Sequence, residues 1–287
     1  MDDLVNEITS GKFNRTDWNK LTGAAAYTAG RWYDFSGLAG TPVANAFAGT
    51  ALAWRTCDET TGNGTQIFGL RHGGNVSPDT KHVLNVAALT SVATGVPAQL
   101  MLVDLQGYWP GITNNSATAQ TLTGTPSLRY TNGAGCRLFW VQTAAAGATA
   151  QNIALSYSNT VPTSGRTLPV TVAMTASAIV PHISHSGTAA NNYGPFLPLA
   201  SGDTGVSTVA TVTFSAANTG TGALCLARPL LTLPLTTVGV AAERDLLNQL
   251  PSLPRVMDGA CLTWLYFAGA ATAASTNFYG AVEVGWG

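Results

Sequence analysis

Charge is what this chain has least of. Its 287 residues include 13 lysines and arginines and 14 aspartates and glutamates, 9% of the sequence, against roughly 25% in an ordinary soluble domain. A freely diffusing monomer relies on interspersed charge to stay soluble and to repel its own copies. Lysine is rarer still, with Lys12, Lys20 and Lys81 the whole complement. At a net charge of −1, and with no Lys/Arg stripe, the chain lacks the phosphate-neutralising surface that nucleic-acid binding requires. No apolar run nears the ~20 residues that span a bilayer as a helix. Neither nucleic acid nor membrane is therefore an expected partner. Cys57, Cys136, Cys225 and Cys261 are scattered, with no CxxC and no metal-ligand spacing, and they read as buried thiols acting as small hydrophobes. The acidic start Met1-Asp2-Asp3-Leu4 offers no basic n-region of a secretory leader, so synthesis in a reducing cytoplasm is expected.

Motifs that carry chemistry are equally scarce. Nucleophile elbows, P-loops and dinucleotide-binding glycine loops do not occur. His182 and His185 have an H-x-x-H spacing, but Pro181 and the flanking Ser and Gly residues oppose a helix, and no acidic or cysteine ligand lies nearby. Asp203-Thr204-Gly205 matches the tripeptide of aspartic proteases, whose chemistry needs two aspartates sharing a proton in apolar flanks. Here one copy follows Ser201 and Gly202, and it reads as a turn in which Asp203 bonds its own backbone. Asp104, inside the apolar run 101–105, reads as an acid that bonds backbone or pairs an arginine to fix strand geometry. The expectation is a protein that is not an enzyme, with no catalytic residue, no metal ligand and no cofactor.

What fills the sequence instead is threonine, serine, asparagine, glycine and alanine beside an ordinary 46% of hydrophobic residues. Beyond residue 40 the text reads as β, because threonine suits a half-buried pleated surface and glycine and proline punctuate at short intervals. Ile153, Leu155 and Tyr157 share one face of residues 151–159, and Leu168, Val170, Val172 and Met174 one face of the next segment. Val206, Val209 and Val212 mark a further strand. Runs at 100–105, 137–141, 224–226, 262–267 and 278–284 are also strand candidates. Residues 65–71 and 82–89 are weaker ones, the second readable as a short helix. Residues 241–250 (Ala-Ala-Glu-Arg-Asp-Leu-Leu-Asn-Gln-Leu) place Leu246, Leu247 and Leu250 on one helical face, stopped by Pro251 and Pro254. The predicted fold is mainly β: a two-sheet, jelly-roll-like β-sandwich over 41–287, with an N-terminal arm over 1–40 and this one short helix.

The arm holds the densest charge and the aromatics Trp18, Trp32, Tyr33 and Phe35. Buried aromatic and arginine anchors carry most interface energy. Trp18, Trp32, Tyr33 and Phe35, with Arg15 and Arg31 pairing partner carboxylates, are therefore interface candidates. Loss of residues 1–35 is expected to spare the β core and to abolish assembly. Tyr108 and Trp109, ahead of Pro110-Gly111, are candidates for a partner contact or a carbohydrate ring.

Several stretches resemble structural proteins encoded by tailed bacteriophages: residues 99–112, which contain Asp104-Leu-Gln-Gly-Tyr-Trp-Pro-Gly111; Tyr130-Thr-Asn-Gly133; residues 194–206; and residues 244–262. The resemblance spans most of 95–287 and leaves the first 40 residues uncovered. The general style is similar to capsid cement (decoration) proteins, whose β-sandwiches sit over capsomer junctions. That resemblance implies a virion protein on the capsid surface, a homo-oligomer whose partners are the major capsid protein and its own copies. A host-surface glycan- or receptor-binding virion protein is the alternative.

Overall fold

The computed structural model describes residues 10–186, 194–249 and 253–287. Nearly all regular structure in them is antiparallel β. Three sheets form. The first runs β14 (Ala242–Asp245), β5 (Lys81–Thr90), β17 (Asn277–Trp286), β1 (Phe13–Leu21), β3 (Ala39–Thr41), with β15 (Arg255–Val256) also on β5. The central sheet runs β2 (Arg31–Asp34), β16 (Leu262–Ala268), β6 (Ala98–Thr113), β13 (Thr221–Leu235), β8 (Arg137–Ala144), with β4 (Arg55–Thr56) on β6. The third runs β10 (Arg166–Thr167), β9 (Gln151–Asn159), β12 (Val206–Phe214), β7 (Gln120–Thr121), with β11 (Val172–Met174) on β9.

The long strands β6 and β13 explain how three sheets share one body. Leu100 and Leu102 of β6, with Leu231, Leu233 and Leu235 of β13, pack against the first sheet through Trp18, Val83, Val86, Phe278 and Val282. Further along the same strands, Trp109, Ile112, Leu224 and Leu226 pack against Ile153, Leu155, Tyr157, Val209 and Val212 of the third sheet. Between the two halves the register shifts at Leu226/Ala227 and Pro229/Leu231. Gly107 sits at the first shift, where a Cβ would lie 2.3 Å from the carbonyl oxygen of Arg55, so only glycine lets β4 approach. The opposite face of the central sheet (Val103, Leu105, Tyr108, Phe139, Val141, Cys225, Leu265) is covered by Phe47, Cys57, Phe68 and Ile183 from connecting segments. All four cysteines are buried free thiols.

The mainly β sandwich expected from the sequence is what forms, with its second layer divided into two sheets. Four local readings are corrected. The 241–250 helix shrinks to the single turn α1 (Leu246–Gln249), and Ala242–Asp245 pairs with β5 instead. There Asn85 donates to Glu243 at 2.7 Å and Arg244 donates to the Thr232 carbonyl at 2.7 Å. Leu250 lies outside the described residues. Residues 65–71 form no strand, whereas 82–89 belong to β5. Pro169 parts β10 from β11, so Val170 is 43% exposed rather than aligned with buried Val172 and Met174. The boundary at residue 40 separates nothing: β1 lies between β17 and β3, and β2 edges the central sheet. Residues 1–9 of the expected arm lie outside the described residues.

Candidate functional site

The six aromatic interface candidates are core residues, and the fold does not gather them. Trp18 is 3% exposed, with its ring 5.6 Å from that of Trp264 and its indole against Gly280, where a Cβ would clash at 2.6 Å. Tyr33 stacks on Tyr27 at 3.8 Å, and Phe35 on Tyr266 at 4.7 Å. Trp32 meets Phe267 on the other face of the central sheet. The Tyr108 hydroxyl donates to the Ala48 carbonyl and accepts from Asn63. Trp109 abuts Trp54 and donates to the Thr123 carbonyl. All six are buried in the chain's own core, so they present no surface to a partner or a sugar. Arg15 is exposed but pairs within its own sheet, with Asp17 at 3.1 Å and Glu283 at 2.9 Å. Arg31 is half-buried and has no carboxylate partner among the described residues.

The buried ionisable groups are structural ties. Asp104 is fully buried and forked by Arg129, whose Nε donates at 3.1 Å. Arg129 also donates to the Cys57 and Leu105 carbonyls, and the Cys261 N–H donates to Asp104. This confirms the reading of Asp104 as an arginine partner at the waist of the central sheet. Lys81 Nζ stands 2.8 Å from His72 Nδ1, while His72 Nε2 faces the Ala260 carbonyl at 2.8 Å and Glu59 at 3.3 Å. That sets a neutral imidazole protonated on Nε2, and burial lowers its basicity further. Asp203 is held by Tyr157 Oη at 2.7 Å, Asn159 at 2.8 Å and Arg166 at 3.0 Å, not by its own backbone. These donors pull its pKa down to about 2 against the opposing effect of desolvation. His182 and His185 are buried, and desolvation lowers them to about 3 and about 4. His185 Nε2 bonds the Pro195 carbonyl; neither ring nitrogen of His182 has a partner among the described residues.

Two features escaped the reading of motifs. Between Arg137 and Arg228 lie 90 residues whose only charged side chains are Arg166 and Asp203, and these neutralise each other. The third sheet is built from this stretch apart from β7, which is uncharged too. With Ile153, Leu155 and Tyr157 turned inward, its other face presents Asn152, Ala154, Ser156 and Ser158 of β9 beside Thr208, Ala210, Thr211 and Thr213 of β12, all exposed or half-buried. Its groups are small and neutral, and at Asn152, Ala154 and Thr213 it borders a cleft walled by residues 167–171. A tally of charge along the chain would have revealed this neutral surface.

The second feature is the opposite. Beside β13, between residues 129–134 and 254–257, a cleft of about 600 Å³ is lined by Arg129, Tyr130, Arg228 and Arg255, with Pro229 and Met257 as apolar walls. Arg129 is neutralised by Asp104. The Arg228 guanidinium lies 4.3 Å over the Tyr130 ring and donates to the Ala134 carbonyl at 2.8 Å. No ion pair reaches Arg228 or Arg255 among the described residues. Arg129, Arg228 and Arg255 are spread over more than 120 residues of sequence, so no local pattern announces them.

No family model matches the chain, and no curated protein does. Among solved structures it is similar to the infectious bursal disease virus VP2 subviral particle, at 9% identity over 95% of this chain and 80% of that one, with a TM-score of 0.18. The infectious bursal disease virus Gt strain structure gives 9% identity over 96% and 79%, with a TM-score of 0.19. At such scores nothing is argued from the likeness.

Proposed function

We propose that this chain is a structural protein of a tailed-phage virion: a capsid cement protein that binds neighbouring shell subunits and acts by binding, not catalysis. The observation that carries the reading is the electrically neutral outer face of the third sheet. A permanent contact must desolvate whatever lies in it, and an unpaired buried charge costs several kcal/mol. A surface of Ser, Thr, Ala and Asn avoids that penalty and lets another backbone approach closely. The resemblance of residues 95–287 to phage virion proteins supports the same reading. The partners are then the major capsid protein and other copies of this chain, on the outside of a particle assembled in the host cytoplasm. Stabilisation follows from mass action, since a ligand that binds the assembled shell alone favours the shell.

The glycan-binding alternative loses its aromatic route, because Tyr108 and Trp109 are both 0% exposed; its other route, the Asn-rich loop over 181–198, lies partly outside the described residues. The test is to add purified protein to assembled shells and to unassembled shell subunits. Saturable binding to shells, with a raised shell melting temperature, is expected. Binding confined to a tail tip, or none to shells, overturns the reading.

A further inference from the structure

We propose that the cleft between residues 129–134, β13 and β15 is an oxyanion-binding site, in which Arg228 and Arg255 grip a single phosphate or carboxylate group. In a chain with 13 cationic side chains among 287 residues, three arginines line this one cleft. One carboxylate, Asp104, answers them, and it is occupied by Arg129. Two like charges therefore line one concave space in which the nearest carboxylate, Asp104, the cross-strand partner of Arg228, is already paired with Arg129. Its apolar walls, Pro229 and Met257, lower the local dielectric and strengthen both their repulsion and their attraction for an anion.

The geometry is prepared for one. Stacking on Tyr130 and the bond to the Ala134 carbonyl hold the Arg228 fork and leave its remaining N–H groups free. A fixed planar fork matches the paired oxygens of carboxylate or phosphate. Arg255, exposed on β15, lines the same cleft. Arg129 is spent on Asp104, Cys57 and Leu105, so it shapes the floor without contacting the ligand. The inference does not rest on the virion reading, because the cleft uses none of the neutral face and anion binding is measured without particles.

The test titrates the full chain with inorganic phosphate, and separately with glutarate as a stand-in for an acidic side chain, at matched ionic strength. Calorimetry and amide chemical shifts of residues 130–134, Arg228 and Leu230 provide the readout. Saturable binding that weakens with added salt is expected. Arg255→Gln, at an exposed position, should weaken it at least about tenfold with an unchanged melting temperature. Arg228→Lys should also weaken it, since charge remains but the fork is lost. Phosphate saturating alone identifies a phosphate site; glutarate saturating alone, or more tightly, identifies a docking point for a protein carboxylate. If neither saturates, or if Arg255→Gln binds as tightly as the parent, the proposal is wrong.

Discussion

His182 and His185 show what burial does to a residue whose type suggests a metal. Both are enclosed, and desolvation, aided at His182 by the nearby positive charge of Arg31, lowers them to about 3 and 4. The unfolded chain takes up these protons near pH 6.5, the folded chain far lower. Stability is therefore full above about pH 6.5 and declines as pH falls, by up to about 1.4 kcal/mol per pH unit for each histidine. His182→Phe should flatten that decline between pH 6 and 4.5, measured by urea melts across the range. An unchanged slope, or an imidazole NMR titration near pH 6.5, would refute it. Asp104 makes a second residue-scale case. Its pairing with an arginine was legible from a lone acid in an apolar run, but its partner, 25 residues away, was not. Asp104→Asn leaves the enclosed Arg129 unneutralised and should destabilise by about 3–5 kcal/mol in denaturant melts. A loss under 1 kcal/mol would mean that water reaches the guanidinium.

At the scale of elements, alternation was a good guide where one face alone is buried. Residues 151–159 are β9 to the residue, with Ile153, Leu155 and Tyr157 inward. The reading failed where tertiary pairing overrode local preference. Ala242–Asp245 has a helix-forming composition, yet the open edge of β5 takes it as a strand. It failed again at the N-terminus, where dense charge suggested an arm reaching out to a neighbouring surface. In β1 the charged residues face outward or are tied down, as Lys20 is by the Leu38 and Pro42 carbonyls, while Trp18 faces the core. Deleting residues 1–35 removes a strand paired on both sides, from Phe13↔Gly285 to Leu21↔Asn277 on one and Asn19↔Thr41 to Leu21↔Ala39 on the other. The truncated chain is expected to lose its cooperative thermal transition altogether, the reverse of the spared core expected from sequence. A truncated protein that melts cooperatively with native-like circular dichroism would restore the arm.

Across the whole molecule, charge is distributed as well as scarce. Outside the stretch between Arg137 and Arg228 the chain retains charged groups on its surface, such as Arg15, Asp17 and Glu283. Inside it, one mutually neutralising pair is all there is. Low overall charge was plain in the composition, and it pointed to lasting contact with neighbours. Which surface makes that contact was not plain, because strand alternation had to be folded into a sheet before Ala154, Ser156, Thr211 and Thr213 could be seen side by side. If the neutral face is the one covered on the particle, a charge placed there is harmless in the free protein and severe in the assembly. Ala154→Lys combined with Ala210→Lys, two exposed positions that are not cross-strand partners, should shift unfolding free energy by no more than about 0.5 kcal/mol per site, as exposed substitutions do. In the assembly the same ammonium groups lose their water without gaining a partner, so incorporation into particles should fall at least tenfold. Val240→Lys, at a 58% exposed position outside the third sheet, serves as the control for charge alone and should incorporate normally. Equal incorporation of the double-lysine protein and the parent would remove this face from the contact. Equal failure of all the lysine variants would show that the particle rejects added charge wherever it lies.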